Sequence, residues 1–165
     1  MSWSDRRSML LSFAAVAAMS ACGFTPVYAP GGSAEGLRGA VTVAAPSDAN
    51  SYELVKRLEE RLGRNLSAAY ALSYTITTRS EDVGVTPRQE ITRTQILGAV
   101  EFSVTSVASG DVVESGSLSN FTSYSTEGST VSTASVERDA NRRLMVMLAD
   151  MMVTRFTATF SGWGE

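Results

Sequence analysis

The sequence predicts an α+β fold: a two-layer sandwich in which about four strands form a mixed sheet and two helices cover one face, in the order β-α-β-β-β-α. Three observations lead there. Apolar residues recur at helical spacing in two stretches and at period two in the stretches between them. Clusters such as Pro46-Ser47-Asp48 and Ser109-Gly110-Asp111 separate the stretches. The chain has 165 residues and is 44% hydrophobic and 19% charged, enough for one core and too short for several domains. Helices and a sheet that are each apolar on one side bury those sides by stacking on each other.

The first 21 residues stand apart. Arg6 and Arg7 precede the apolar run Met9–Ala21, which ends in small residues before Cys22, the only cysteine. This is the layout of a secretory signal, and the run is short for a transmembrane helix. The cysteine at the expected cleavage point resembles the lipobox of bacterial lipoproteins, with Met19 standing where leucine is usual. That resemblance implies removal of residues 1–21 and a covalent lipid on Cys22, and Gly23 after it favours the outer membrane. Residues 22–38, with Pro26, Pro30, Gly31, Gly32, Ser33 and Gly36, read as the lipidated cysteine and a flexible tether.

The folded domain is expected over residues 39–160. Val41-Thr42-Val43-Ala44-Ala45 is β-rich and ends at Pro46, giving a first strand. Ser47, Asp48 and Asn50 offer caps for a helix from about Ser51 to Ser67, with Leu54, Val55, Leu58, Leu62 and Leu66 on one face. Glu53 with Arg57, Lys56 with Glu60 and Glu60 with Arg64 suit i,i+4 pairing on the other face. Tyr70, Leu72, Tyr74 and Ile76 alternate with small polar residues in a strand running toward Arg79. Glu81 to Pro87 reads as a loop or frayed tip.

A long strand starts near Glu90, with Ile96, Val100, Phe102 and Val104 on one face and Arg93, Gln95, Glu101, Ser103 and Thr105 on the other. After the turn at Ser109-Gly110-Asp111 a Ser/Thr-rich strand covers Val112 to about Tyr124 as its hairpin partner. Thr126–Thr130 is a loop. A second helix runs from about Thr133 to Phe156, with Val136, Ala140, Leu144, Met147, Leu148 and Met151 as its buried stripe. Residues 161–165 form a tail whose order the sequence leaves open.

Composition narrows function. There is no histidine and one lysine, Lys56, so Ser-His-Asp and Cys-His nucleophiles and His-containing zinc sites are excluded, and no Gly-rich phosphate loop follows a strand. The chain is expected not to be an enzyme and to need no cofactor beyond the lipid. Taking Asp5, Arg6 and Arg7 from 17 acidic and 14 basic residues leaves 16 and 12, a net charge of −4 with no basic patch, which argues against a nucleic-acid partner.

The element order, together with Cys22-Gly23-Phe24-Thr25-Pro26-Val27-Tyr28, the segment Ser119-Asn120-Phe121-Thr122-Ser123-Tyr124-Ser125 and the closing helix Ala134–Phe160, resembles the LPS-assembly lipoproteins of the LptE family, in its alphaproteobacterial form. The resemblance implies an outer-membrane lipoprotein on the periplasmic side that plugs and helps assemble the large β-barrel LptD and assists lipopolysaccharide transport to the surface. Lipopolysaccharide carries phosphates, which arginines recognise. Arg79, Arg88 and Arg93, flanking one strand–loop–strand tip, are the contact candidates. Three other classes remain in view: an accessory lipoprotein of a periplasmic lipid-transport ABC system, a small-ligand-binding lipoprotein, and an enzyme, the last disfavoured by the missing histidine.

Overall fold

A computed structural model of the chain describes residues 26–30, 32, 34–85, 91–126 and 130–164. Four strands, β1 (Val41–Val43), β2 (Tyr70–Val85), β3 (Ile91–Ser106) and β4 (Val112–Ser125), lie side by side in chain order. β1 is parallel to β2, with Val43 opposite Leu72, and the other pairs are antiparallel. Two helices, α1 (Ala49–Leu62) and α2 (Thr130–Thr159), complete the order β-α-β-β-β-α, followed by a 3-10 turn at Phe160–Gly162.

Asp48 starts α1 by a reciprocal cap. Its Oδ1 accepts from the Ser51 backbone N–H at 2.7 Å, and the Ser51 Oγ accepts from the Asp48 N–H at 2.9 Å. The Ser51 N–H, and the Ser51 hydroxyl donating to the same Oδ1 at 2.8 Å, hold the Asp48 carboxyl below its usual pKa. The helix stops at Leu62, one turn earlier than its apolar spacing predicts. Gly63 takes φ +79°, a conformation other side chains resist, and its N–H caps the Glu59 carbonyl. Leu66, expected on the buried stripe, is therefore 84% exposed in the following loop.

The alternation in β3 is as expected: Ile96, Val100, Phe102 and Val104 are buried. β2 is longer than expected. Residues 81–85 continue the strand instead of forming a loop, because β3 supplies hydrogen-bond partners as far as Ile91, with a bulge around Gly84. The Thr94 hydroxyl also donates to the Asp82 carboxylate at 2.9 Å. Pro87 lies outside the described residues.

α2 buries Ala140, Leu144, Met145, Leu148, Ala149, Met152, Val153 and Phe156. The expected stripe is thus wrong in part: Val136 is exposed, Met147 and Met151 are half-buried, and Met145 and Met152 lie fully inside. The cause is tertiary. α2 packs on the sheet and on α1 at once, so its buried arc is wider than one stripe. Arg57 also abandons its expected partner Glu53. It grips Asp150 of α2 with Nε at 3.0 Å and Nη2 at 3.1 Å, and Arg61 joins at 3.1 Å.

The N-terminal end of the domain is more ordered than expected, and the C-terminal tail, left open by the sequence, packs on the core. The tether extends less far than residue 38, since Ala34 and Leu37 are buried in the core. In the C-terminal segment, Trp163 is buried and its ring meets Tyr70, Phe156 and Phe160 edge-on, with centroids 5.3–5.4 Å apart. Its indole N–H donates to Thr159 Oγ1 at 3.3 Å.

Candidate functional site

Two helices on one side leave the other side of the sheet uncovered by any described residue. Even-numbered residues of β3 face the helices and odd-numbered ones face outward. The register arranges the outward residues in rows across three strands: Ser73–Ser103–Ser115, Thr75–Glu101–Ser117, Thr77–Ala99–Ser119, Arg79–Leu97–Phe121 and Glu81–Gln95–Ser123. Serine and threonine dominate. They offer both donors and acceptors, add little bulk, and carry no charge. This face matches polar surfaces without committing to one sign.

One apolar spot interrupts it. Phe121 is 59% exposed beside Leu97, and with Thr77, Arg79, Ala99 and Ser119 it lines a shallow depression. Phe121 was legible as an aromatic set among Ser117, Ser119, Ser123 and Ser125 at period two, although nothing in that pattern said which face would be open. Leu97 gave no such signal, because it sits next to the buried Ile96.

The predicted arginines divide. Arg79 and Arg93 share the open face. Arg79 lies opposite Leu97, while Arg93 lies opposite Gly84 and Ser125, four positions along β3, so roughly 13 Å separate their rows. Arg79 is paired with Glu81, which neutralises part of its field. The two therefore do not form a single chelating site. Arg88 and Cys22 lie outside the described residues.

Elsewhere the charges serve the helices. Asp139 of α2 is held below its usual pKa, first by the hydrogen bond from Arg142, and it also receives Arg143 at 3.0 Å. Glu114 of β4, only 11% exposed, accepts from Arg155 Nε at 2.8 Å, and the Arg155 guanidinium lies 5.6 Å from the Phe102 ring centre. Tyr74 is pushed above its ordinary pKa, chiefly by burial. Among the described residues no helix is long and apolar enough to cross a membrane.

Comparison with known proteins gives the same architecture. A lipoprotein candidate from Caulobacter crescentus CB15 superposes with a TM-score of 0.62 at 17% identity, covering 75% of this chain and 92% of the other. Rare lipoprotein B from Shewanella oneidensis gives 0.59 at 11% identity, with 76% and 98% covered. A minor lipoprotein from Acinetobacter baumannii gives 0.52 at 19%, with 72% and 88% covered. At these identities the likeness is one of fold. No curated protein sequence matches the chain. A family model described as LptE, lipopolysaccharide-assembly, matches residues 39–156, which is most of the chain. The protein belongs to the LptE family of lipopolysaccharide-assembly proteins.

Proposed function

We propose that this protein is a non-enzymatic outer-membrane lipoprotein, lipidated on Cys22 and held at the periplasmic side. It seats in the lumen of an LptD-type β-barrel, helps that barrel assemble, and assists lipopolysaccharide on its way to the cell surface. The observation that carries the reading is the uncovered, hydroxyl-rich face of the sheet in a chain of this family. Barrel lumens are polar, and a plug needs a rigid surface that hydrogen-bonds without bulk or strong charge. The core behind that face supplies the rigidity. The lipid keeps plug and barrel at high effective concentration, and no cofactor is required. Arg79 and Arg93, on the same face, meet phosphates of the passing lipopolysaccharide.

The test is a photo-crosslinking residue at Ser117 or Thr75, both on the open face, in cells making the full chain. A crosslink to a large outer-membrane β-barrel supports the reading. Crosslinks only to soluble periplasmic or inner-membrane transporter subunits, with normal surface lipopolysaccharide after depletion, overturn it.

A further inference from the structure

The two lateral edges of the sheet are protected differently. β1 has 3 residues and is followed by Pro46, and the part of β2 beyond it carries Arg79, Glu81 and Asp82 and a bulge at Gly84. Short strands, charges and bulges are the usual means of keeping an edge from pairing with another chain. β4, the opposite edge, has 14 residues, holds no proline or lysine, and pairs with β3 without a register shift from Glu114 to Ser125. Its one charged residue, Glu114, is engaged by Arg155.

The hydrogen bonds of β4 show which backbone groups point outward. The Thr126 N–H donates to the Thr92 carbonyl at 3.1 Å, so even-numbered residues along β4 face β3 and odd-numbered ones face away. Two side chains agree with this parity. Arg155 Nη2 donates to the Ser115 carbonyl at 3.1 Å, and Asn120 Oδ1 accepts from the Phe121 N–H at 2.8 Å. Between these two caps, the outward N–H and C=O groups of Ser117 and Ser119 have no partner among the described residues. The caps differ in strength. Arg155 is fixed, since Nη2 also holds Glu114 at 2.7 Å. The Asn120 amide donates to the Met147 and Met151 sulfurs at 3.9 Å and 3.6 Å, and thioethers are weak acceptors. Asn120 is therefore the cap that an incoming chain displaces.

The free groups also state what fits them. They repeat every ~7 Å, a spacing that another extended backbone matches. Beside them on the inner side lie Leu118 and the half-buried Met147 and Met151, an adaptable apolar surface. No charged residue stands between Ser115 and Ser125, so nothing there pairs with a charge. We propose that the free edge of β4, from Ser117 to Ser123, takes an added strand: an uncharged extended segment of the partner barrel, apolar at the alternate positions that face α2. A closed barrel wall has no edge of its own to offer, so the segment is a loop or chain end that enters the lumen. The inference rests on the barrel seating proposed above, and it adds backbone pairing along one edge to side-chain contact on the open face.

Ser119→Pro removes an outward N–H and no bond to β3, a change that an edge strand tolerates. The mature lipidated full chain is purified with its barrel in mild detergent. Ser119→Pro is expected to recover about tenfold less barrel than Ser119→Ala, which removes the same hydroxyl and keeps the N–H. Equal recovery by the two variants, with melts showing both folded, overturns the added strand and leaves the barrel seating standing. Where Ser119→Pro fails to fold, amide hydrogen exchange of the unmodified chain is the test. The Ser117 and Ser119 N–H groups are expected to exchange at least about tenfold more slowly in the barrel complex than in the chain alone. Equal rates overturn the inference. An unmodified chain that brings no barrel overturns both readings. A dimer of the chain alone that Ser119→Pro dissolves assigns the edge to a second copy and overturns the barrel segment.

Discussion

The two faces of β3 are written in the same sixteen residues and obey opposite rules. Toward the helices stand Thr94, Ile96, Gly98, Val100, Phe102 and Val104, all buried. Outward stand Arg93, Gln95, Leu97, Ala99, Glu101, Ser103 and Thr105, none of them buried. The inner face is close-packed, so each position is fixed by its neighbours' shape. The outer face is covered by no other described part of the chain, so no packing within those residues fixes its composition. Stability therefore depends on the inner face, and on the proposed reading partner recognition depends on the outer one, so substitutions separate the two.

The largest expected loss comes from the inner side. Phe156 is fully buried between Phe102 and Trp163, with ring centres 5.3 Å and 5.4 Å away. Phe156→Ala is expected to cost about 3–5 kcal/mol in urea unfolding. A loss below ~1 kcal/mol means that the aromatic cluster does not hold the core end. Gly98→Val tests fit rather than void. A Cβ there lies 2.8 Å from Leu144 Cδ2 and 3.2 Å from Cγ, so the Leu144 side chain or α2 itself must shift, at about 1–3 kcal/mol.

The cap of α1 comes next. Asp48→Ala removes its bond to the Ser51 N–H and is expected to cost ~1 kcal/mol. The pH dependence has a definite sign. The Asp48 carboxyl is depressed below 3.8 in the folded state, so its contribution is present above that pH and fades as pH falls through the lower folded value. Asp48→Asn is expected to flatten that part of the acid limb in thermal melts over about pH 5 to 2. An unchanged limb removes Asp48 from the acid response.

The smallest expected effect on stability lies on the open face. Phe121→Ser and Ser117→Arg should each change the unfolding free energy by no more than about 0.5 kcal/mol. The same variants are expected to lower recovery of the outer-membrane barrel in a mild-detergent pull-down. Barrel recovery equal to that of the unmodified chain turns attention from this face to another part of the surface.

Much of the fold was legible because short-range rules suffice for it. Val100, Phe102 and Val104 alternate, Ser109-Gly110-Asp111 turns, with Gly110 at φ +82°, and Asp48 caps a helix, each within a few residues. Apart from the end of α1, which the nearby Gly63 sets, the errors fall where a distant element decides. Leu66 keeps the helical spacing, but Gly63 has already ended the helix. Glu81 and Asp82 are poor strand formers, yet they are carried into β2 by pairing with Gln95 and Thr94. Met147 keeps the helical spacing and Met145 does not, yet Met145 is buried and Met147 only half-buried, because α2 packs on the sheet and on α1 at once. At the candidate site, the arginines were visible as residues, but their separation depends on strand register, which a bulge near Gly84 shifts.

By itself the sequence determined the order of elements, the inner face of β3, the cap of α1 and the lone cysteine behind an apolar leader. Those are consequences of side-chain period, local hydrogen bonding and hydrophobicity, which neighbouring residues express without help. Only the tertiary structure decided which sheet face stays open, that Trp163 closes the core, and that Arg57 reaches Asp150 rather than Glu53. These are distances between residues far apart in the chain. They are set when the sheet, α1 and α2 compete to bury the same apolar surface.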